Sequence, residues 1–311
     1  MLLSLLFVAG GIVLLYGGAE ILVRGASRLA LRSGLSPLIV GLTVVAFGTS
    51  APELVVSVQA ALQGTGGIAV GNVIGSNVAN IGLILALGAL IRPLRVDPHL
   101  LRADIPLAIG ATLLVSALLA DGTLGRFQGG MLVLMLVAYL VFSLRDARKH
   151  APLAPDEPVV ALPASPLRDI AGVAVGVVIL VLGAQGLVTG GTNIAEALGV
   201  PATIIGLSLV AVGTSLPELA TTAIAAMRGE GDLALGNVVG SNLFNLLGIL
   251  GVAALVRPLA APGLAIVDIG VMLGAILLLF PLATTQRTLG RVEGAGLLTL
   301  YLIYMASLTL R

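Results

Sequence analysis

Glu53 and Glu218 lie in stretches of otherwise apolar chain, and no lysine or arginine within those stretches can pair with them. A carboxylate buried in a membrane without a partner costs several kcal/mol, so residues of this kind are kept for chemistry. Ala46, Thr49 and Glu53 follow spacings of three and four, which puts them on one helix face with Ser50 beside them. Ala211, Thr214, Ser215 and Glu218 repeat the arrangement. Ser76 and Asn80 are four apart and share a face, with Asn72 a turn earlier; Ser241, Asn245 and Asn237 match them. Together these groups offer two carboxylates, hydroxyls, amides and backbone carbonyls. All are hard oxygen donors, without sulfur or imidazole, a set that suits calcium and sodium and disfavours zinc, copper and iron.

The segments carrying these residues form an internal repeat. GLTVVAFGTSAPEL (41–54) and GNVIGSNVAN (71–80) return as GLSLVAVGTSLPEL (206–219) and GNVVGSNLFN (236–245), always 165 residues later. The offset holds as far as Arg92-Pro93 and Arg257-Pro258. Pro52 has no N–H for the Gly48 carbonyl, and Gly48 itself weakens a helix, so the chain should bend or unwind between Gly48 and Pro52. Pro217 and Gly213 predict the same in the second copy. A broken helix at membrane depth persists only where it is buried or lines a polar cavity. Gly71, Gly75 and Ser76 also suit close helix packing. Asn72, Asn77, Asn237 and Asn242 suit interhelical hydrogen bonds as well as ion contact.

With 58% hydrophobic residues, 10% charged residues and a mean hydropathy of +1.13, the chain belongs in a bilayer. Its net charge of +1, with no basic run, gives nucleic acid no purchase. No cysteine is present, and His99 and His150 lie outside the apolar runs, which excludes thiol and intramembrane imidazole chemistry. An intramembrane protease would need a serine–histidine, serine–lysine, paired-aspartate or histidine-rich metal site. None falls within the spans, so no enzyme is expected. Apolar runs near 2–23, 35–62, 67–91, 104–120 and 124–144, then 169–190, 201–227, 232–256, 264–284 and 292–310, predict ten spans. Met1–Val23 is read as the first span rather than a signal peptide. The expected fold is an all-α membrane protein of ten transmembrane helices in two inverted five-helix repeats, 1–146 and 169–311, joined by a proline-rich linker, 147–168. Of the 16 lysines and arginines, thirteen fall in connections after odd-numbered spans and three on the other side. The positive-inside rule then places the linker in the cytoplasm and both termini outside the plasma membrane. Glu20, one turn from Arg24, is expected to pair with it or snorkel, and Asp104 and Asp268 to lie at the interface.

Both GTSxPEL and both GNVxGSN motifs, in order and at a fixed offset, resemble the sodium/calcium exchangers of the cation/calcium exchanger superfamily. The resemblance implies that spans 2, 3, 7 and 8 enclose the ions and that spans 1 and 6 slide across this core. It also implies an ion-ligand set of Ala46, Thr49, Ser50, Glu53, Ser76 and Asn80 with Ala211, Thr214, Ser215, Glu218, Ser241 and Asn245. Ala46 and Ala211 would contribute through their carbonyls. Some relatives, potassium-dependent branches among them, carry aspartate at the position of Asn245, so asparagine there implies potassium-independent exchange. The expected activity is secondary active antiport of sodium against calcium by a monomer in the lipid bilayer, without a cofactor. A proton-driven calcium or other cation antiporter is the alternative.

Overall fold

The structure, a computed structural model, describes residues 2–149, 166–198, 211–261, 266–284 and 287–309. The chain is nearly all-helical. The helices are α1 (Leu2–Ser33), α2 (Pro37–Thr49), α3 (Ala51–Gln63), α4 (Gly66–Ile91), α5 (Leu100–Leu118) and α6 (Arg126–Lys149). After the linker come α7 (Pro166–Ala197), α8 (Ala211–Thr214), α9 (Leu216–Arg228), α10 (Gly231–Val256), α11 (Ile266–Thr284) and α12 (Arg291–Thr309). Among the described residues, seven helices are long and apolar enough to cross a membrane, or eight when the bent pair α2–α3 counts as one span. Residues 199–210, which hold the start of the expected seventh span, and 150–165 of the expected linker lie outside the described residues.

Two expected boundaries move. Arg24, Arg28 and Arg32, placed in a connection by hydropathy, continue α1 as far as Ser33. Hydropathy marks where the bilayer ends, whereas arginine, leucine and alanine keep a helix going into water. Residues 147–149 likewise end α6, and 166–168 begin α7.

α1 and α7 run antiparallel with their backbones in close contact. A Cβ on Gly11 would meet the backbone at Gly183 and Leu187, one on Gly18 that at Gly176 and Leu180, and one on Gly25 that at Asp169 and Val173. Glycines every seven residues on both helices let them pack as small-residue membrane pairs do. At one end the pair is tied by charge: Arg28 and Arg32 reach the fully buried Asp169 at 2.9 and 2.5 Å. This pair is peripheral, with 28% of each apolar window buried, against 72% for α4 and 83% for α10. The core is therefore α4 and α10 with the broken helices around them.

Contacts between the helix connections fall into two groups. In one, β1 (Leu94–Arg95) pairs antiparallel with β4 (Thr288–Leu289), Arg92 packs on Gly229, and His99 contacts Asp146. In the other, β2 (Thr123–Leu124) pairs with β3 (Leu259–Ala260), and Arg257 packs on Gly64 and donates to the Leu62 carbonyl. The 165-residue offset converts one strand pair into the other. It also relates Gly64 to Gly229, the left-handed residues (φ 79° and 80°) that end α3 and α9.

Candidate ion-binding site

The helix break falls where Pro52 and Gly48 require one. α2 stops at Thr49, Ser50 leaves helical geometry (φ −81°, ψ 8°), and α3 restarts at Ala51 with a bend of 47°. Ser215 has nearly the same angles (φ −89°, ψ 8°) between α8 and α9. Pro52 and Pro217 occupy the first turn of the restarted helices, where a missing N–H costs nothing. The breaks place Glu53 and Glu218 in the first turns of α3 and α9, at the positive ends of those helices, while the negative end of α2 faces the same region. Ala46 ends up buried, its carbonyl accepting the Ser50 N–H (3.1 Å) and the Thr49 hydroxyl (3.4 Å). Ala211 opens α8.

Each carboxylate is held by a serine of the other half. Ser215 donates to Glu53 Oε1 at 3.0 Å and Ser50 donates to Glu218 Oε1 at 2.8 Å. The Thr49 hydroxyl donates instead to Asn237 Oδ1 at 3.1 Å. Ser76 Oγ lies 3.4 Å from Ser215 Oγ, which brings α4 to the same point. Both glutamates are 1% exposed, and the second oxygen of each, Oε2, has no hydrogen-bond partner among the described residues. Asn80 Oδ1, Ser241 Oγ and both polar atoms of Asn245 share that condition. A buried polar atom without a partner requires explanation. Unpartnered oxygens of carboxylates, amides and a hydroxyl on α3, α4, α9 and α10 are the donor set a hard cation takes. Of the expected ligands, the structure hydrogen-bonds Ser215 with Glu53 and Ser76, and Ser50 with Glu218, while Thr49 joins Glu218 through Asn237. Asn80, Ser241 and Asn245 are buried on the two core helices.

Other asparagines carry hydrogen bonds around the glutamates and between the core helices. Asn72 Nδ2 donates to the Glu53 carbonyl (3.2 Å) and to Ser57 (2.9 Å); Asn237 Nδ2 donates to the Glu218 carbonyl (3.4 Å) and to Thr222 (3.0 Å). Asn237 also accepts from Thr49 at 3.1 Å, and Asn242 accepts from Asn80 at 3.0 Å. These bonds fix the helix turn from which each glutamate projects. Asn80 and Phe244–Asn245 sit at π-helical turns, Asn80–Leu85 and Phe244–Ile249. Such turns interrupt regular helices chiefly at functional positions, and nothing in the sequence marks them. Ser57 and Thr222 escaped the sequence reading too, although the shared 165-residue offset between them was a usable signal.

Asp104, expected at the interface, stands at the start of α5 in a π turn, 1% exposed within the protein and bonded to His99 and to the Tyr139 hydroxyl (3.1 Å each). Its position at a span start hid the imidazole and phenol that compensate its burial. Asp268 is half-buried and accepts from Tyr304 at 3.2 Å.

Apolar helices around a buried, oxygen-only cluster with two carboxylates are an arrangement suited to inorganic cations. The family model described as sodium/calcium exchanger protein matches residues 3–145 and 169–310, and the chain belongs to that family. It is 40% identical to CaxA of Alkalimonas amylolytica, over 98% of both chains. It is 32% identical to the sodium/calcium exchanger MaX1 of Methanosarcina acetivorans, over 96% of both. A solved structure of the sodium-calcium exchanger NCX_Mj superposes with a TM-score of 0.87, at 34% identity and 99% coverage of both chains.

Proposed function

We propose that this protein exchanges sodium for calcium across the plasma membrane by alternating access. The ligands in this reading are Ala46, Thr49, Ser50, Glu53, Ser76, Asn80, Ala211, Thr214, Ser215, Glu218, Ser241 and Asn245. The observation that carries it is the pair of buried glutamates, each bonded to the opposite half through one oxygen and unpartnered at the other. A serine proton satisfies one carboxylate oxygen but cannot cancel its charge. Ionised, the pair carries a charge near −2, which one calcium ion or two sodium ions neutralise. Moving the bare charge past low-dielectric lipid is costly, so only loaded forms change sides, and transport becomes exchange.

The same reading has ten spans in two inverted repeats, 1–146 and 169–311, with the linker 147–168 in the cytoplasm and both termini outside. The two groups of connection contacts support it: connections after expected spans 3, 5, 7 and 9 meet one another, and so do those after spans 2, 4 and 8. The testing experiment is calcium uptake into proteoliposomes under an imposed sodium gradient at fixed pH. Uptake should require the sodium gradient. Uptake driven equally well by a proton gradient without sodium would replace sodium by protons as the driving ion, and no uptake under either gradient would refute calcium antiport.

A further inference from the structure

The core and the peripheral helix pair differ in symmetry. In the core, contacts come largely in reciprocal pairs under the 165-residue offset: Ser50–Glu218 with Ser215–Glu53, and Asn72–Ser57 with Asn237–Thr222. The α1–α7 pair does not sit symmetrically on that core. Gly48 and Gly213, beside the two breaks, have as their nearest side-chain neighbours Val177 and Val188, both from α7. A symmetric core under an asymmetric pair of helices is one of two related arrangements.

An ion pair marks this one. Arg228, the last residue of α9, grips Glu20 of α1 with Nε on Oε2 (2.8 Å) and Nη2 on Oε1, and Arg24 reaches the same carboxylate at 2.5 Å. The contact joins the peripheral pair to the helix that carries Glu218. Its repeat counterparts are neutral: Glu20 corresponds to Gln185 and Arg228 to Gln63. Both glutamines are exposed, and neither side chain has a hydrogen bond among the described residues.

We propose that Glu20 and Arg228 form a one-sided latch that holds the α1–α7 pair against the core at their own face and biases the protein toward the state closed there. In the opposite state Gln63 and Gln185 would meet instead, and two amides hold less firmly than a bidentate, charge-assisted pair. The inference rests on the alternating-access reading and adds to it an unequal resting population of the two states.

Spin labels on cysteines introduced at the exposed Leu62 and Leu182, one residue from Gln63 and one turn from Gln185, report which arrangement is populated, because the chain has no other cysteine. In lipid nanodiscs, the short-distance population should rise about 2- to 5-fold in Glu20→Gln/Arg228→Gln, the range a half-exposed ion pair supplies. Carrying the latch to the other face, as Gln185→Glu/Gln63→Arg with the native pair intact, should raise the same population. Raising ionic strength should narrow the difference between the Glu20→Gln/Arg228→Gln variant and wild type. If calcium and sodium shift the wild-type distribution but neither variant does, the latch is refuted and alternating access stands. If no ion condition moves the labels, alternating access itself fails and the latch falls with it.

Discussion

Glu53→Gln is the substitution that most directly weighs charge against geometry in the cluster. Glutamine keeps the length and one oxygen of the side chain, so the Ser215 hydroxyl at 3.0 Å still has an acceptor. A neutral amide at a position 1% exposed requires no charge compensation, so the fold should survive. The ions lose one of two negative charges. Two unit charges about 4 Å apart interact by about 4 kcal/mol at an effective dielectric of about 20, so a divalent ion loses about 8 kcal/mol where a single sodium ion loses about 4. The difference, about 4 kcal/mol, corresponds to roughly a 10³-fold greater fall in calcium affinity than in the affinity of any one sodium ion. Radiolabelled calcium uptake into proteoliposomes should fall to background. Calorimetric titration of the purified variant should show calcium binding lost and sodium binding weakened but measurable. The reasoning fails if uptake stays near normal, or if both ions weaken by the same factor, because a purely geometric role for Glu53 predicts no dependence on ion charge.

Two further substitutions probe groups at and beyond this pair. The His99 ring lies 3.1 Å from Asp104 through Nδ1 and 2.9 Å from Asp146 through Nε2, and only an imidazolium donates from both nitrogens. Burial pushes the His99 pKa down, but Asp104 and Asp146 outweigh it and hold the group above its usual 6.5. Stabilisation from this clamp is therefore complete below about pH 6.5 and is lost as pH rises through the raised value. The thermal-stability gap between wild type and His99→Gln should be widest near pH 6 and close at alkaline pH; a gap that widens with pH would contradict the sign. Asn245→Asp adds a third carboxylate where both amide atoms are buried without partners. The calcium concentration for half-maximal uptake should fall, and so should the maximal rate, as tighter binding slows release. Wild-type uptake should not respond to potassium, and a potassium requirement would overturn the potassium-independent reading.

The sequence made the breaks and the carboxylates legible because each rests on a local rule. Pro52 lacks an N–H wherever it stands, and an unpaired glutamate in an apolar run has few innocent explanations. What could not be read is relational. That Ser215 serves Glu53 rather than the neighbouring Glu218 depends on how the halves interlock, and no spacing within one half encodes it. The π turns at Asn80 and Phe244 likewise follow from no residue-propensity rule. The partners of Asp104 were hidden for a related reason: hydropathy scores a residue by its type, while the compensation for its burial comes from His99 five residues away and Tyr139 thirty-five residues away.

The exchanged serines bear on how the two halves can act. Had each glutamate been held within its own repeat, the chain would contain two independent half-sites, and an ion at one would say little to the other. Because Ser50 orders Glu218 and Ser215 orders Glu53, displacing either serine toward an ion loosens the carboxylate across the interface. Loading of one half would thereby, on the proposed function, prepare the other, and both carboxylates would come to their cargo as a unit. On the proposed function, that coupling discourages a half-loaded site, which would cross the membrane with an uncancelled charge and dissipate the gradient that drives exchange.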